Sequence, residues 1–155
     1  MSSITESVDV AVPVPTAYNQ WTQFESFPQF MEGVESVSQL GDTMTHWVID
    51  VGGVHREFDA RITEQHPDER VAWESVAGPR HAGVVTFHRL NDTESRVTLQ
   101  IETDPEGLVE NAADALGFLS RRAKRDLGRF KEFIETRGTE TGGWRGDVEP
   151  PHSTR

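Results

Sequence analysis

Near the C-terminal end, Leu108, Ala112, Ala115, Leu119, Ala123, Leu127, Phe130 and Ile134 recur at spacings of three and four. That period puts all of them on one stripe of a single helix. In "TDPEG", Asp104 and Pro105 predict the N-cap and first helical residue, and Gly138 predicts a stop after about Thr136. A helix of roughly thirty residues is about 45 Å long. An apolar stripe of that length has to be covered, and what covers it decides the fold.

The other helical patterns are too short for the task. "PTAYNQWTQF" places Ala17, Trp21 and Phe24 on one face, and "SFPQF" adds a second short turn before Gly33. Before them, Ile4, Val8, Val10 and Val12 mostly alternate with polar residues, predicting a strand that Pro13 and Pro15 end. From Glu35 to Asp104 the period becomes two. The turn signals "QLGD", "VGGV", "HPDE", "AGPRHAG" and "NDTE" divide this stretch into six strands. With the N-terminal strand they predict a seven-stranded antiparallel sheet, hence an α+β chain in which a twisted, curled sheet grips the long helix. Such a grip leaves an internal gap unless large side chains fill it. Residues 1–138 read as one domain. Residues 139–155, rich in Gly, Pro and charge, predict a disordered tail.

Three segments carry a resemblance to a known family: "WTQFESFPQFMEGVESV", "WESVAGPRHAGVVTFHRL" and "SRVTLQIETDPEG". They resemble the START-like (SRPBCC) superfamily with its helix-grip, Bet v 1-like fold, specifically the polyketide cyclase/dehydrase and coenzyme Q-binding branch. The likeness spans about residues 3 to 136. It implies a small hydrophobic ligand, polyketide-, quinone- or lipid-like, held between the sheet and the last helix.

Strand parity proposes which residues face the gap. Trp47 shares a face with Thr45, Ile49 and Val51, and Trp73 with Val71, Ser75 and Ala77. Phe58 aligns with Val54, Ala60 and Ile62, and Arg56 falls on the same apolar face. Phe87 aligns with Gly83 and Val85, followed by Arg89, and Val97, Leu99 and Ile101 align in the last strand. From the long helix, Leu116, Leu119 and Ala123 join the ligand-facing set. Phe27, Phe30 and Met31 surround Pro28 as either core or a gate at the cavity mouth. An arginine on an apolar face needs an acidic or carbonyl partner, or it reaches outward from a strand end. If the chain is an enzyme, Arg56 and Tyr18 are the first candidates for acid, base or oxyanion-stabilising roles, with Arg89 and His81 behind them. His46, His55 and His88 fall on the opposite, solvent-facing side.

Composition narrows the partners. The formal charge of −11 opposes nucleic acid. Without cysteine there is no disulfide or thiolate chemistry, and the histidines lack ligand spacing, so neither metal nor cofactor is expected. "MSSITESVDVAV" has neither a basic segment nor a long apolar run, which favours a cytoplasmic protein. The basic run from Arg121 to Lys131 offers a possible membrane contact, although pairs such as Arg122 with Asp126 read more simply as an exposed, charge-balanced face. The chain is expected to be a monomer or homodimer. Three functions remain open at this point: hydrophobic-ligand binding, an aromatic polyketide cyclase/dehydratase, and a stress-related interaction protein with a vestigial cavity.

Overall fold

The computed structural model describes residues 2–31, 33–41, 43–51, 54–76, 81–103, 112–146 and 148, with the backbone alone described at 2, 51, 54, 81, 103 and 112–119. Strand β1 (Ser2–Val10) leads into helix α1 (Val14–Trp21) and a 3-10 helix (Phe24–Gln29). Six strands follow: β2 (Val34–Gln39), β3 (Met44–Val51), β4 (Val54–His66), β5 (Arg70–Ser75), β6 (His81–Asn91) and β7 (Glu94–Thr103). Helix α2 (Ala112–Arg137) comes last. All seven strands form one antiparallel sheet in the order β1-β7-β6-β5-β4-β3-β2, so β2 to β7 make a simple meander and β1 closes onto β7.

The local chemistry matches these boundaries. Pro13 takes the N-cap position of α1 in an extended conformation, leaving Pro15 in the first turn, where a missing N–H costs no helical bond. Thr22 ends α1 by donating its hydroxyl to Asn19 O at 2.6 Å. Val51 pairs with Val54, so a two-residue connection joins β3 to β4 as "VGGV" predicts, although its glycines lie outside the described residues. The expected cap at Asp104 and Pro105 and most of the turn "AGPRHAG" also lie outside them. At the other end of α2, Gly138 has φ 75° and donates to Ile134 O at 2.8 Å, the left-handed stop that glycine favours.

The apolar stripe of α2 is buried through Ala123, Leu127, Phe130 and Ile134. Polar bonds tie its outer edge to the first strand and the residue beyond it: Lys131 Nζ donates to Asp9 O at 2.9 Å, and Ala11 N donates to Glu135 at 2.7 Å. The Glu135 carboxyl is held below its usual range by hydrogen bonds from Lys131 and from the Ala11 amide. Part of the core is strongly aromatic. Trp21 meets Phe27, Phe30 and Phe130 at ring-centroid distances of 5.1–5.8 Å, two of these edge-on, and Phe27 also reaches Trp47 at 5.7 Å.

Residues 139–146 and 148 depart from the expectation of a disordered tail, because they pack back on α1 and β4. Thr141 N donates to Gln20 Oε1 at 2.9 Å, and Gln20 Nε2 donates to Thr141 Oγ1 at 3.1 Å. Trp144 N donates to Thr22 Oγ1 at 3.0 Å, and Val148 forms a two-way backbone bridge with Gln65 at 2.8 Å. The physical reason lies in α1. Gln20 and Thr22 are buried polar side chains, and the returning chain supplies partners that water would otherwise have to provide. Composition flagged the segment as polar without showing that buried polar groups were waiting for it.

Candidate functional site

A cavity of about 120 Å³ lies between the inner face of the sheet and α2. Its apolar wall comes from Trp47 and Ile49 on β3, Trp73 on β5, and Leu99 and Ile101 on β7. Met31, Gly33 and Val34 enclose one side, and Arg122, Ala123 and Asp126 of α2 form the other. Among the described residues, strand β6 contributes no side chain to this wall. Gly83 pairs with Trp73 on one side and Ile101 on the other, and the Trp73 indole lies over it. A Cβ at position 83 would sit 2.5 Å from Cζ2 of that ring, so glycine is what admits the indole. Trp73 in turn stacks on Trp47 at 6.2 Å, and Trp47 on Phe58 at 6.1 Å, making a ladder of near-parallel rings across β5, β3 and β4.

Trp47 and Trp73, whose strand faces parity turns inward, line the cavity, and Met31 and Ala123 also reach it. Other expected site residues lie elsewhere. Phe27 and Phe30 are core: each is at most 2% exposed and locked among rings, so neither is a gate. Phe87 is buried edge-on against Tyr18 at 5.4 Å. Phe58 is half-buried behind Trp47 and does not line the cavity. Arg89 stands in solvent, with its side chain 63% exposed, paired with Asp92 in the β6–β7 turn. Arg89 still pairs in register with Ser95, but it is the last residue of its phase before the turn, and its long side chain reaches outward from the strand end to Asp92. The side chains of Leu116, Leu119 and His81 lie outside the described residues.

The two catalytic candidates separate. Tyr18 is fully buried, its hydroxyl accepts from Gln65 Nε2 at 3.0 Å, and the Arg145 guanidinium covers its ring at 5.5 Å. It is not part of the cavity wall. Arg56 is half-buried on the inner face, directly across the ladder from the wall residue Ile49.

Arg122 and Asp126 were expected on an exposed face, but both are half-buried at the cavity rim. The Asp126 side chain is 13% exposed, with Arg129 3.5 Å away. Arg122 reaches across to β2, and its Nη1 occupies the space a side chain at position 33 would need. The available signal was positional: Arg122 and Asp126 are one turn apart on a row beside the stripe, opposite the glycine in "MEGV". The rest of the basic run is dispersed, with Arg121, Lys124 and Arg125 exposed and Lys131 tied to Glu135 at 2.7 Å.

On the outer face, His55 and His88 are exposed. His46 contacts Asp59 at 2.7 Å and Glu57 at 3.2 Å, and the first of these bonds chiefly holds its pKa above the usual histidine value. Among the described residues, no group of three or more His, Cys, Asp or Glu could hold a metal ion. No described helix is long and apolar enough to cross a membrane.

Comparison with known proteins places this architecture. Residues 10–132 match the family model described as polyketide cyclase / dehydrase and lipid transport. The chain belongs to that family. Another protein similar to this family member is a 17.2 kDa protein of Streptomyces lincolnensis from the melC2-rnhH intergenic region, whose name assigns it no activity. It is 62% identical over 149 residues, covering 96% of this chain and 99% of the relative. Among solved structures, an aromatase/cyclase of Streptomyces sp. R1128 superposes with a TM-score of 0.72 at 16% identity, covering 92% of this chain and 99% of its own. A START superfamily protein of Mycobacterium smegmatis gives 0.69 at 12% identity, covering 87% and 95%. At those identities the likeness establishes the START helix-grip fold and nothing finer.

Proposed function

We propose that this family member binds a small apolar molecule in the space between the sheet and α2. The observation that carries the reading is the cavity: among the described residues its walls are almost wholly apolar, and its charged side chains, Arg122 and Asp126, lie on the helix. Burying apolar ligand surface there is favourable at roughly 25 cal/mol per Å². The rim can orient a polar end of the guest, an arrangement typical of small-molecule sites. The described volume of about 120 Å³ is below the several hundred Å³ usual for drug-sized ligands. A larger guest therefore requires the Met31 and Arg122 sides to yield, both long and flexible side chains.

Thermal-shift and native mass spectrometry with a panel of single-ring aromatics, quinones, fatty acids and polyketide fragments tests the proposal. A stabilising ligand with a one-to-one adduct is the expected result. No shift and no adduct across the panel would overturn it. A cyclase acting on a poly-β-keto chain is the narrower reading, and the position of Arg56 across from Ile49 favours that residue over Tyr18. In that reading Arg56→Ala abolishes turnover of a poly-β-keto substrate while the fold persists, and unchanged turnover removes Arg56 from the mechanism.

A further inference from the structure

Residues 139–146 lie as a strap across the end of α1, and the fit is close. A Cβ at Gly143 would fall 2.8 Å from Asn19 Cγ, and one at Gly142 would fall 2.8 Å from Gln23 Oε1. Arg145 fastens the far end. Its guanidinium donates to Asn19 Oδ1 at 2.7 Å, pairs with Asp68 of the β4–β5 turn at 2.8 Å and covers the Tyr18 ring. These contacts hold the strap against the last turn of α1, where the chain passes into the 3-10 helix.

The buried amide of Gln20 joins strap and 3-10 helix. Its Oε1 accepts from Thr141 N at 2.9 Å, and a backbone N–H can only donate, so the orientation of the amide is settled. Its Nε2 serves both sides, donating to Thr141 Oγ1 at 3.1 Å and to Ser26 Oγ at 3.0 Å. Ser26 stands in the first turn of the 3-10 helix, which is weak by itself. That geometry is rarely sustained beyond about three or four residues. Here it runs for six, with no side-chain cap at Gln23 and with Pro28 inside it. Past its end, Phe30 N and Met31 N both donate to Phe27 O, at 3.1 and 2.7 Å, so Met31 follows the helix. Met31 belongs to the side of the cavity that a larger guest has to displace.

From this chain of contacts we infer that the C-terminal strap is a clasp on the 3-10 helix and, through it, a size filter on the cavity. Docked, the strap holds the Gln20 amide on Ser26 and Met31 in place, and the cavity stays small. Undocked, it leaves the amide free to turn toward water, and the Met31 side yields. The effect is reciprocal by linkage, so a guest too large for the docked state loosens the strap. The clasp stands on the contacts themselves, whereas the filter also rests on the cavity being a ligand site.

Amide hydrogen exchange read by NMR tests the clasp without any ligand. Full-length Gly143→Val pushes the strap off Asn19, and full-length Arg145→Ala unfastens its far end by a second route. Loss of about one net hydrogen bond is expected to speed exchange at Phe30 and Met31 by about three- to ten-fold. Val97 and Leu99 in β7 are expected to keep their wild-type rates. Faster exchange at Thr141 and Trp144 with none at Phe30 and Met31 overturns the clasp. An equal rise at Val97 and Leu99 also overturns it, because the strap then acts on the whole fold. Unchanged exchange at Thr141 and Trp144 in both variants contradicts the close docking on which the inference stands. Titration of both variants and the wild type with toluene and biphenyl, which differ by one ring and carry no polar group, tests the filter. Biphenyl is expected to gain affinity in the variants by about the same three- to ten-fold while toluene does not. An equal gain, or none, overturns the size filter and leaves the clasp to the exchange data. If neither compound nor the wider panel binds any form, the ligand-binding reading fails and the filter with it.

Discussion

Replacing Gly83 by alanine perturbs the cavity wall at its most crowded point. The new Cβ would lie 2.5 Å from Cζ2, 2.8 Å from Cη2 and 3.0 Å from Cε2 of Trp73. Carbon atoms prefer about 3.5–4.0 Å, so the overlap is close to 1 Å. The backbone cannot withdraw, because Gly83 is paired with Trp73 of β5 and with Ile101 of β7. The indole cannot tilt without disturbing its stack on Trp47. It has to slide toward the cavity, and overpacking of this kind costs about 1–3 kcal/mol. For a chain of this size that lowers Tm by roughly 2–12 °C. Gly33→Ala is the comparison: its Cβ meets chiefly the end of the long Arg122 side chain, with the Asp50 carbonyl oxygen at 3.3 Å, so the cost is expected to be smaller. Thermal and urea denaturation followed by far-UV circular dichroism measure both. A double-mutant cycle gives the sharper reading, because in a Trp73→Ala background Gly83→Ala should cost nothing measurable. A Gly83→Ala protein as stable as the wild type, or one equally destabilised with and without Trp73, refutes this account of the wall.

Two further outcomes follow from packing and charge. Ending the chain at Gly138 removes both Thr141 bonds from the buried Gln20 amide and the Trp144 bond from Thr22. Stability should fall by about 1 kcal/mol, the net worth of a hydrogen bond exchanged for one to water, and an unchanged Tm would mean that the returning segment is ornamental. His46, held above the ordinary value near 6.5 mainly by its bond to Asp59, adds stability that is complete below the unfolded pKa and is lost as pH rises through the folded one. His46→Gln should therefore lower Tm slightly near pH 5.5 and not near pH 9, with a small effect because both partners are substantially exposed. A ring-proton NMR titration with a midpoint at or below about 6.5 would contradict it.

The element order was legible because it depends on local signals. Period two from Glu35 onward, the turns between strands and the three-and-four stripe ending at Ile134 each act over a few residues. Together they leave one way to bury the long helix. Parity likewise identified the inward faces of β3 and β5, and with them Trp47 and Trp73.

Position along those faces was not legible. Phe27 and Phe30 became core rather than gate because Trp21, Phe130 and Trp47, far apart in the chain, converge on them. Arg89 kept the phase of Phe87 but stood at the strand end, where its long side chain reaches solvent and Asp92. Arg122 reached the cavity rim because Gly33, on a distant strand edge, left room for it. Residues 139–146 pack back on α1 because Gln20 and Thr22 are buried polar groups needing partners. By itself the sequence determined the helix-grip architecture and which faces of its strands turn inward. Only the tertiary structure decided how much of the gap the rings fill, since that depends on where side chains from separate elements meet.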